Sequence, residues 1–248
     1  MTGPTLEREI IIKMIKAIAF DLDDTLWSVE PVIKNAEAKI TSWVYRKFPD
    51  LVLNRSEMAT YRSEILKREP ELGFRYTEMR RRILKEIFRS YTKDSQAAET
   101  LSHQAMAVFI KTRSEVEYYP GVESTLADLS TKFLLGTLTN GNANVKKMKI
   151  SKYFDFSFSA EDVGAPKPEP EMFLRALQHT GLAGREVVYV GDDPINDVDG
   201  AKNAGLLTIW KKKGETTSGG VTNPDATISQ INELPDVIDE LNLLQKSE

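Results

Sequence analysis

Ile15-Lys16-Ala17-Ile18-Ala19-Phe20-Asp21-Leu22-Asp23-Asp24-Thr25-Leu26-Trp27 is the stretch that decides the fold. Its first half is an apolar run (Ile15, Ala17, Ile18, Ala19, Phe20) of the kind that forms a strand buried on both faces of a parallel sheet. The run stops at three carboxylates within four residues: Asp21, Asp23 and Asp24. Open α/β sheets bind ligands at the carboxyl ends of their strands, so these acids fall at the active edge. Crowded carboxylates repel one another, and a divalent cation relieves that repulsion. Oxygen donors without Cys or His suit magnesium better than zinc. Taken alone, the stretch also reads as a strand that merely ends in an acidic turn.

The rest of the chain supplies the context. From residue 32 to residue 116, strand-like runs vanish and amphipathic helical spacing takes over. Ala36, Ile40, Trp43, Val44 and Phe48 share one helix face. Met58, Tyr61, Ile65 and Leu66 predict a second helix, stopped by Pro70. Residues 76–91 and 97–116 predict a third and a fourth. After Tyr119-Pro120-Gly121 the pattern changes again. A short helix over 122–129 leads into a buried strand over 133–138, which ends in Thr139-Asn140-Gly141-Asn142. A helix is expected over 143–150, an apolar segment over 154–158, a proline-framed loop over 162–168 and a helix over 169–179. A strand over 186–190 then ends in Gly191-Asp192-Asp193. A helix over 197–204, strands over 206–210 and 226–228 and a last helix over 234–244 complete the chain.

Strands alternating with helices predict an α/β fold, a doubly wound parallel sheet, here interrupted by an all-helical insert. The expected division is a core of residues 14–30 and 117–248, an inserted domain of residues 31–116, and a loose extension or misplaced start over residues 1–13.

Composition excludes several classes. With 41% hydrophobic residues and a net charge of −4 from abundant charges of both signs, the 248 residues carry no basic field for nucleic acid. The absence of cysteine removes disulfides, thiolate metal sites and thiol nucleophiles, and is compatible with a cytoplasmic location. No apolar run approaches the ~20 residues that span a bilayer. No membrane partner is expected, and monomer or homodimer is left open.

Three predicted strands thus end in residues suited to phosphoryl transfer, and here the chain resembles the haloacid dehalogenase (HAD) superfamily, most of whose members are phosphatases. Four motifs carry the resemblance, in order: Asp21-Leu22-Asp23-Asp24-Thr25, Leu138-Thr139-Asn140-Gly141, Lys167 within Ala-Pro-Lys-Pro-Glu-Pro, and Gly191-Asp192-Asp193-Pro194-Ile195-Asn196-Asp197. The resemblance implies Asp21 as a nucleophile that forms an aspartyl-phosphate. It implies Asp23 as the acid that protonates the leaving oxygen and then the base that activates water. It implies Mg2+ held by Asp21, the Asp23 carbonyl and Asp192, with Asp193 and Asp197 as rivals or supports. Thr139, Asn140 and Gly141 would bind phosphate oxygens at a helix N-terminus, and Lys167 would bridge phosphate and nucleophile. Asp24 is expected as a turn or capping residue, Thr25 as a partner of the local backbone, and His103 and His179 as ordinary helix residues.

Asp23 also bears on the reaction. Dehalogenases resembling this fold lack an acid there, because a halide needs no proton. A Mg2+-dependent phosphomonoesterase acting on a small phosphorylated metabolite is therefore expected. A phosphomutase, a dehalogenase or a catalytically silent phosphate-binding protein stand as rivals. An insertion after the first motif implies a helical cap that closes over the core and selects the leaving group. Trp27 and Trp43 could offer flat faces, and Arg75, Arg80, Arg81 and Arg82 could pair with acidic or carbonyl groups, but for any single one of them the commoner reading is a solvated helix face for the arginines and a core position for Trp43. The core motifs are most similar to the bacterial subgroup acting on flavin mononucleotide and related ribityl-pyrimidine phosphates.

Overall fold

The computed structural model describes residues 14–214 and 220–245. The expectation for residues 1–13 lies outside the described residues. Strand β1 (Ala17–Phe20) lies near the middle of a six-stranded parallel sheet. The others are β2 (Leu134–Thr139), β3 (Phe156–Ser159), β4 (Val187–Gly191), β5 (Leu207–Lys211) and β6 (Ala226–Ile228). The spatial order is β3-β2-β1-β4-β5-β6. The chain runs outward through β2 and β3, then returns to the other side of β1 for β4. Strand order therefore reverses at β1, and the crevice outside the ends of β1 and β4 is where such sheets bind ligands.

Alternation along the strands builds two cores, one on each face. Ile18 and Phe20 of β1 join Val188, Val190 and Ile209 on one face, covered by α5 (Val122–Leu129) and α9 (Leu234–Gln245) through Leu126 and Ile238. On the other face the small Ala17 and Ala19 leave room for α7 (Glu171–Thr180), whose Met172 and Phe173 pack there beside Tyr189.

Between β1 and α5 stand four helices: α1 (Val29–Lys47), α2 (Arg55–Arg68), α3 (Tyr76–Thr92) and α4 (Ser95–Arg113). They are the all-helical cap. Ala36, Ile40, Val44, Leu84, Phe88, Ala105 and Phe109 form its main cluster, and Ile65, Met79, Ile83 and Ile87 a second. Asn54 caps α2 by accepting from Ser56 N, and Asp94 caps α4 by accepting from Gln96 N and Ala97 N. The two segments that enter and leave the cap lie side by side. Tyr119 N donates to Leu26 O at 2.9 Å, and Trp27 pairs with Tyr118 in an isolated antiparallel bridge.

Pro31 sits in the first turn of α1, where its missing N–H has no intrahelical acceptor to lose. Two local expectations are corrected. No α-helix forms over 143–150. Two 3-10 turns, Val145–Lys147 and Lys149–Tyr153, flank an extended Met148. Val145, Met148 and Ile150 all enter the core, whereas a continuous helix would turn Ile150 about 200° from Met148. The segment over 197–204 begins earlier, as a π-helical turn at Pro194–Asp199 followed by α8 (Gly200–Asn203). Asp193 starts that turn: its carboxylate accepts from Ile195 N and Asn196 N. The wider π spiral sits beside the acidic site, where such turns are often found.

Candidate active site

Asp21 is the first residue past β1, and its N–H donates to Val190 O at 2.8 Å. Asp192 follows the last residue of β4, and Asp197 lies in the π-helical turn after it. One carboxylate oxygen from each of these three acids falls within 4.8 Å of the other two. Lys167, only 3% exposed, enters this cluster. Its Nζ donates to Asp21 Oδ1 at 2.7 Å, to Asp197 Oδ1 at 2.6 Å and to the Tyr189 hydroxyl at 2.7 Å. The tyrosine in turn donates to Leu138 O at 2.9 Å.

The electrostatics follow from burial. Desolvation pushes the Asp21 pKa well above its ordinary value; Lys167 opposes the shift and Asp197 reinforces it. Burial and the Asp197 charge push Asp192 up to about 6, against a hydrogen bond from Thr25 that lowers it. Burial alone would lower Lys167, but Asp197 and Asp21 outweigh it and hold the ammonium above its ordinary pKa. Three acids thus share one ammonium. The raised carboxyl pKa values mark a cluster whose ionised form is short of positive charge. An oxygen-only donor set of this kind fits a hard divalent cation, with Asp21, Asp192 and Asp197 as the residues that could hold it.

The remaining site residues divide. Asp193 is committed to starting the π-helical turn and lies outside the cluster. Asp197 belongs to the cluster itself. The Asp23 side chain stands apart from the three acids: its Oδ1 accepts from Trp27 Nε1 at 2.9 Å and its Oδ2 from Arg113 Nη2. Thr25 does not bond its local backbone; its hydroxyl crosses to Asp192 Oδ1 at 3.0 Å. Asp24 adopts φ 58°, a conformation Asp tolerates better than most residues, and its Oδ1 accepts from Val29 N at the start of α1.

Thr139 ends β2, and its Oγ1 accepts from Gly141 N at 3.0 Å. With no α-helix after Asn142, the expected helix N-terminus is absent from this point. Asn140 spends its side chain elsewhere. Its Oδ1 accepts from Lys167 N at 2.7 Å and its Nδ2 donates to Lys167 O at 2.9 Å, which fixes the lysine's main chain. Gly141 is required by close approach: a Cβ there would lie 2.5 Å from Asp23 Oδ2.

A cavity of about 390 Å³ lies between cap and core. Asp23, Gly141 and Asn142 line its core side, and Arg62, Arg80, Phe109 and Arg113 line its cap side. Arg80 lies over the Phe109 ring at 4.2 Å and approaches Glu37 at 3.5 Å. Arg81 and Arg82 instead pair with Glu78, Glu99 and Glu69 along the cap. Arg75 is the N-cap of α3. Trp43 packs edge-on against Phe88 in the cap core, and the fully buried Trp27 offers the cavity no face. His103 pairs with Glu99, and His179 packs against Phe156 and Phe158.

Sequence reasoning missed Arg113, Arg62 and Tyr189. Tyr189 left a trace, since a tyrosine inside Val-Val-Tyr-Val-Gly needs a partner for its hydroxyl once buried. Arg113 left none: it reads as one of several cations at a helix end.

Residues 15–205 match the family described as haloacid dehalogenase-like hydrolase. The chain belongs to this family. The 5-amino-6-(5-phospho-D-ribitylamino)uracil phosphatase YigB of Escherichia coli K12 is 31% identical over 79% of this chain and 83% of its own length. The glyceraldehyde 3-phosphate phosphatase of Methanopyrus kandleri is 28% identical over 92% of this chain and 99% of its own. Among solved structures, the 2-haloacid dehalogenase of Pseudomonas syringae pv. tomato DC3000 superposes with a TM-score of 0.88 at 36% identity, over 92% of this chain and 99% of that one. This HAD protein is accordingly a hydrolase, and the E. coli and M. kandleri relatives are both phosphatases. No described helix is long and apolar enough to cross a membrane.

Proposed function

We propose that this HAD hydrolase is a Mg2+-dependent phosphomonoesterase that works through an aspartyl-phosphate on Asp21. The observation that carries the reading is the buried Lys167 ammonium, bonded at once to Asp21 at 2.7 Å and Asp197 at 2.6 Å with Asp192 alongside. A packing role would not require three acids around one cation, because burying charge is costly. A nucleophilic carboxylate that must meet a phosphoryl dianion does require positive charge on its flank.

Asp21 attacks phosphorus, the ester P–O bond breaks, and Asp23 gives its proton to the departing alkoxide. Asp23, now a carboxylate, takes a proton from water as the water's oxygen attacks the aspartyl-phosphate. That step releases inorganic phosphate and restores Asp21. Lys167 stays bonded to Asp21 throughout and offsets the charge gathering on the phosphoryl oxygens. The Thr139 hydroxyl, which accepts from Gly141 N at 3.0 Å, would donate to a phosphoryl oxygen. Bound Mg2+ would supply charge neutralisation between carboxylate and phosphate.

For the substrate, we favour a phosphorylated metabolite with a ring and a polyol tail, the ribityl-pyrimidine or flavin mononucleotide class. Support comes from the named substrate of the E. coli relative and from Arg62 and Arg80, which line the cap side of a cavity of about 390 Å³. Guanidinium groups there would suit the carbonyl and hydroxyl oxygens of such a substrate. A dehalogenase reading draws on the P. syringae structure. It leaves Asp23, hydrogen-bonded on both oxygens at the cavity edge, without a task.

The test is turnover of p-nitrophenyl phosphate with and without Mg2+, a panel of phosphorylated metabolites, and 2-chloropropionate. Mg2+-dependent phosphate release that is abolished in a folded Asp21→Asn variant is expected. Chloride release without phosphate release would overturn the reading.

A further inference from the structure

Arg113 is the last residue of α4 and thus of the cap helices, yet its side chain lies in the core's active edge, 1% exposed. It is the only buried arginine among the described residues. Its Nη2 donates to Asp23 Oδ2, a contact between residues 90 positions apart in the sequence. Its Nε and Nη1 are buried too and meet no acceptor among the described residues. Burying a guanidinium with two unmet donors is unfavourable, so packing does not account for the arrangement. What it secures is one bond, to a carboxylate.

That carboxylate is gripped from two modules. Trp27, on the core side of the neck, holds Oδ1, and Arg113, on the cap side, holds Oδ2. Gly141 closes the remaining side, its missing Cβ leaving room for Oδ2 and, at 3.4 Å, for Arg113 Nη2. A second tie runs parallel, from Thr77 N at the start of α3 to Glu161 Oε1 of α6 (Ala160–Val163) in the core at 2.6 Å. The cap therefore reaches the core both at the acid and beside it.

We propose that Arg113 is a positioning residue delivered by the cap: it aims the Asp23 carboxylate, and does so only when the cap is seated. Asp23 is then fixed on both oxygens when the cavity is closed over a substrate, and held through Oδ1 alone, by Trp27, when it is open. The proposal rests on Asp23 serving as the acid-base group of the phosphatase reading.

A double-mutant cycle tests it, using Arg113→Gln, Arg113→Lys, Asp23→Asn and Arg113→Gln/Asp23→Asn with glycerol 1-phosphate as the probe. Arg113→Gln is expected to lower kcat about 10- to 100-fold, the range for a partner that orients a site group, with KM changed less than about 3-fold. Arg113→Lys should recover part of the loss. In the Asp23→Asn background, Arg113→Gln should cost nothing further, because the two residues act as a unit. Multiplicative losses in the double variant, or a loss confined to KM, would overturn the proposal and make Arg113 a substrate anchor or a plain structural tie. Amide hydrogen exchange separates this result from failure of the phosphatase reading. Even if the wild type hydrolyses no ester, Arg113→Gln should speed exchange over residues 22–27, and Asp23→Asn should speed it in the last turn of α4. Unchanged exchange in both overturns the positioning role. Should Arg113→Gln fail to fold, the near-isosteric Asp23→Asn reports on the same bond from its other end.

Discussion

Asn140 holds the main chain of Lys167 on both sides, accepting from its N–H at 2.7 Å and donating to its carbonyl at 2.9 Å. A residue at the end of one strand thereby fixes the loop that carries the site's cation. Asn140→Asp keeps the acceptor and removes the donor, leaving the Lys167 carbonyl unmet. Stability should fall by about 1–3 kcal/mol, and kcat by about 10- to 100-fold, as when a supporting contact of a site is cut. Urea unfolding and steady-state turnover check the two halves. Unchanged kcat would mean the lysine holds its place without the clamp.

Gly141→Ala probes the space around Asp23. The added Cβ would lie 2.5 Å from Asp23 Oδ2, so the carboxylate must move. A displacement of about 1 Å in a reacting group costs on the order of 100-fold in rate, whereas an extra methyl group in a packed region costs about 1–3 kcal/mol. The expected result is a folded protein with a collapsed kcat. Wild-type kcat would show that the carboxylate has room to spare.

Asp192 gives the chelated protein a pH signature. Its pKa is raised from 3.8 to about 6 by burial and by Asp197. A carboxyl whose folded pKa is raised favours folding fully below the unfolded value and loses that contribution as pH climbs through the folded one. Between pH ~4 and ~6 the loss from this group is at most about 3 kcal/mol, and less to the extent that solvent reaches it. Asp192→Asn removes the titration. In the presence of a chelator, wild type should lose stability relative to Asp192→Asn as pH rises across that window. Added Mg2+ should restore it above pH ~6, where the carboxylate is ionised, and have little effect below pH ~5, where protons compete. Parallel stability curves for the two proteins would contradict the assignment.

The pattern of what could be read in the sequence has a physical cause. The sheet announced itself through short apolar runs that stop at Asp21, Thr139 and Asp192, because buried parallel strands leave little choice of residue and the sheet puts their ends together. The cap helices were equally plain from their 3.6-residue stripes. Where backbone and side chain compete, the reading failed. Residues 143–150 have helix-compatible composition, yet burying Val145, Met148 and Ile150 together requires Met148 to be extended. Thr25 suggested a local hydrogen bond and finds Asp192, 167 positions away. Asn140 suggested a phosphate ligand, and nothing in the sequence signalled that its side chain also clamps the main chain of Lys167. Arg113 was invisible for the same reason that it matters: its partner is set by how two modules dock, and no spacing along one helix encodes that.

The bridge between Trp27 and Tyr118 sets the seam along which this architecture can be re-engineered. Both residues belong to the neck, and the Trp27 indole already serves Asp23. A chimaera cut outside them would swap the donor to the acid together with the helices. One cut within the first turn of α1 and just past Arg113 would keep the neck and bring in foreign helices that must supply their own guanidinium at the final position. New leaving-group preferences could then be grafted without rebuilding the phosphorus chemistry, provided that single cation travels with the graft.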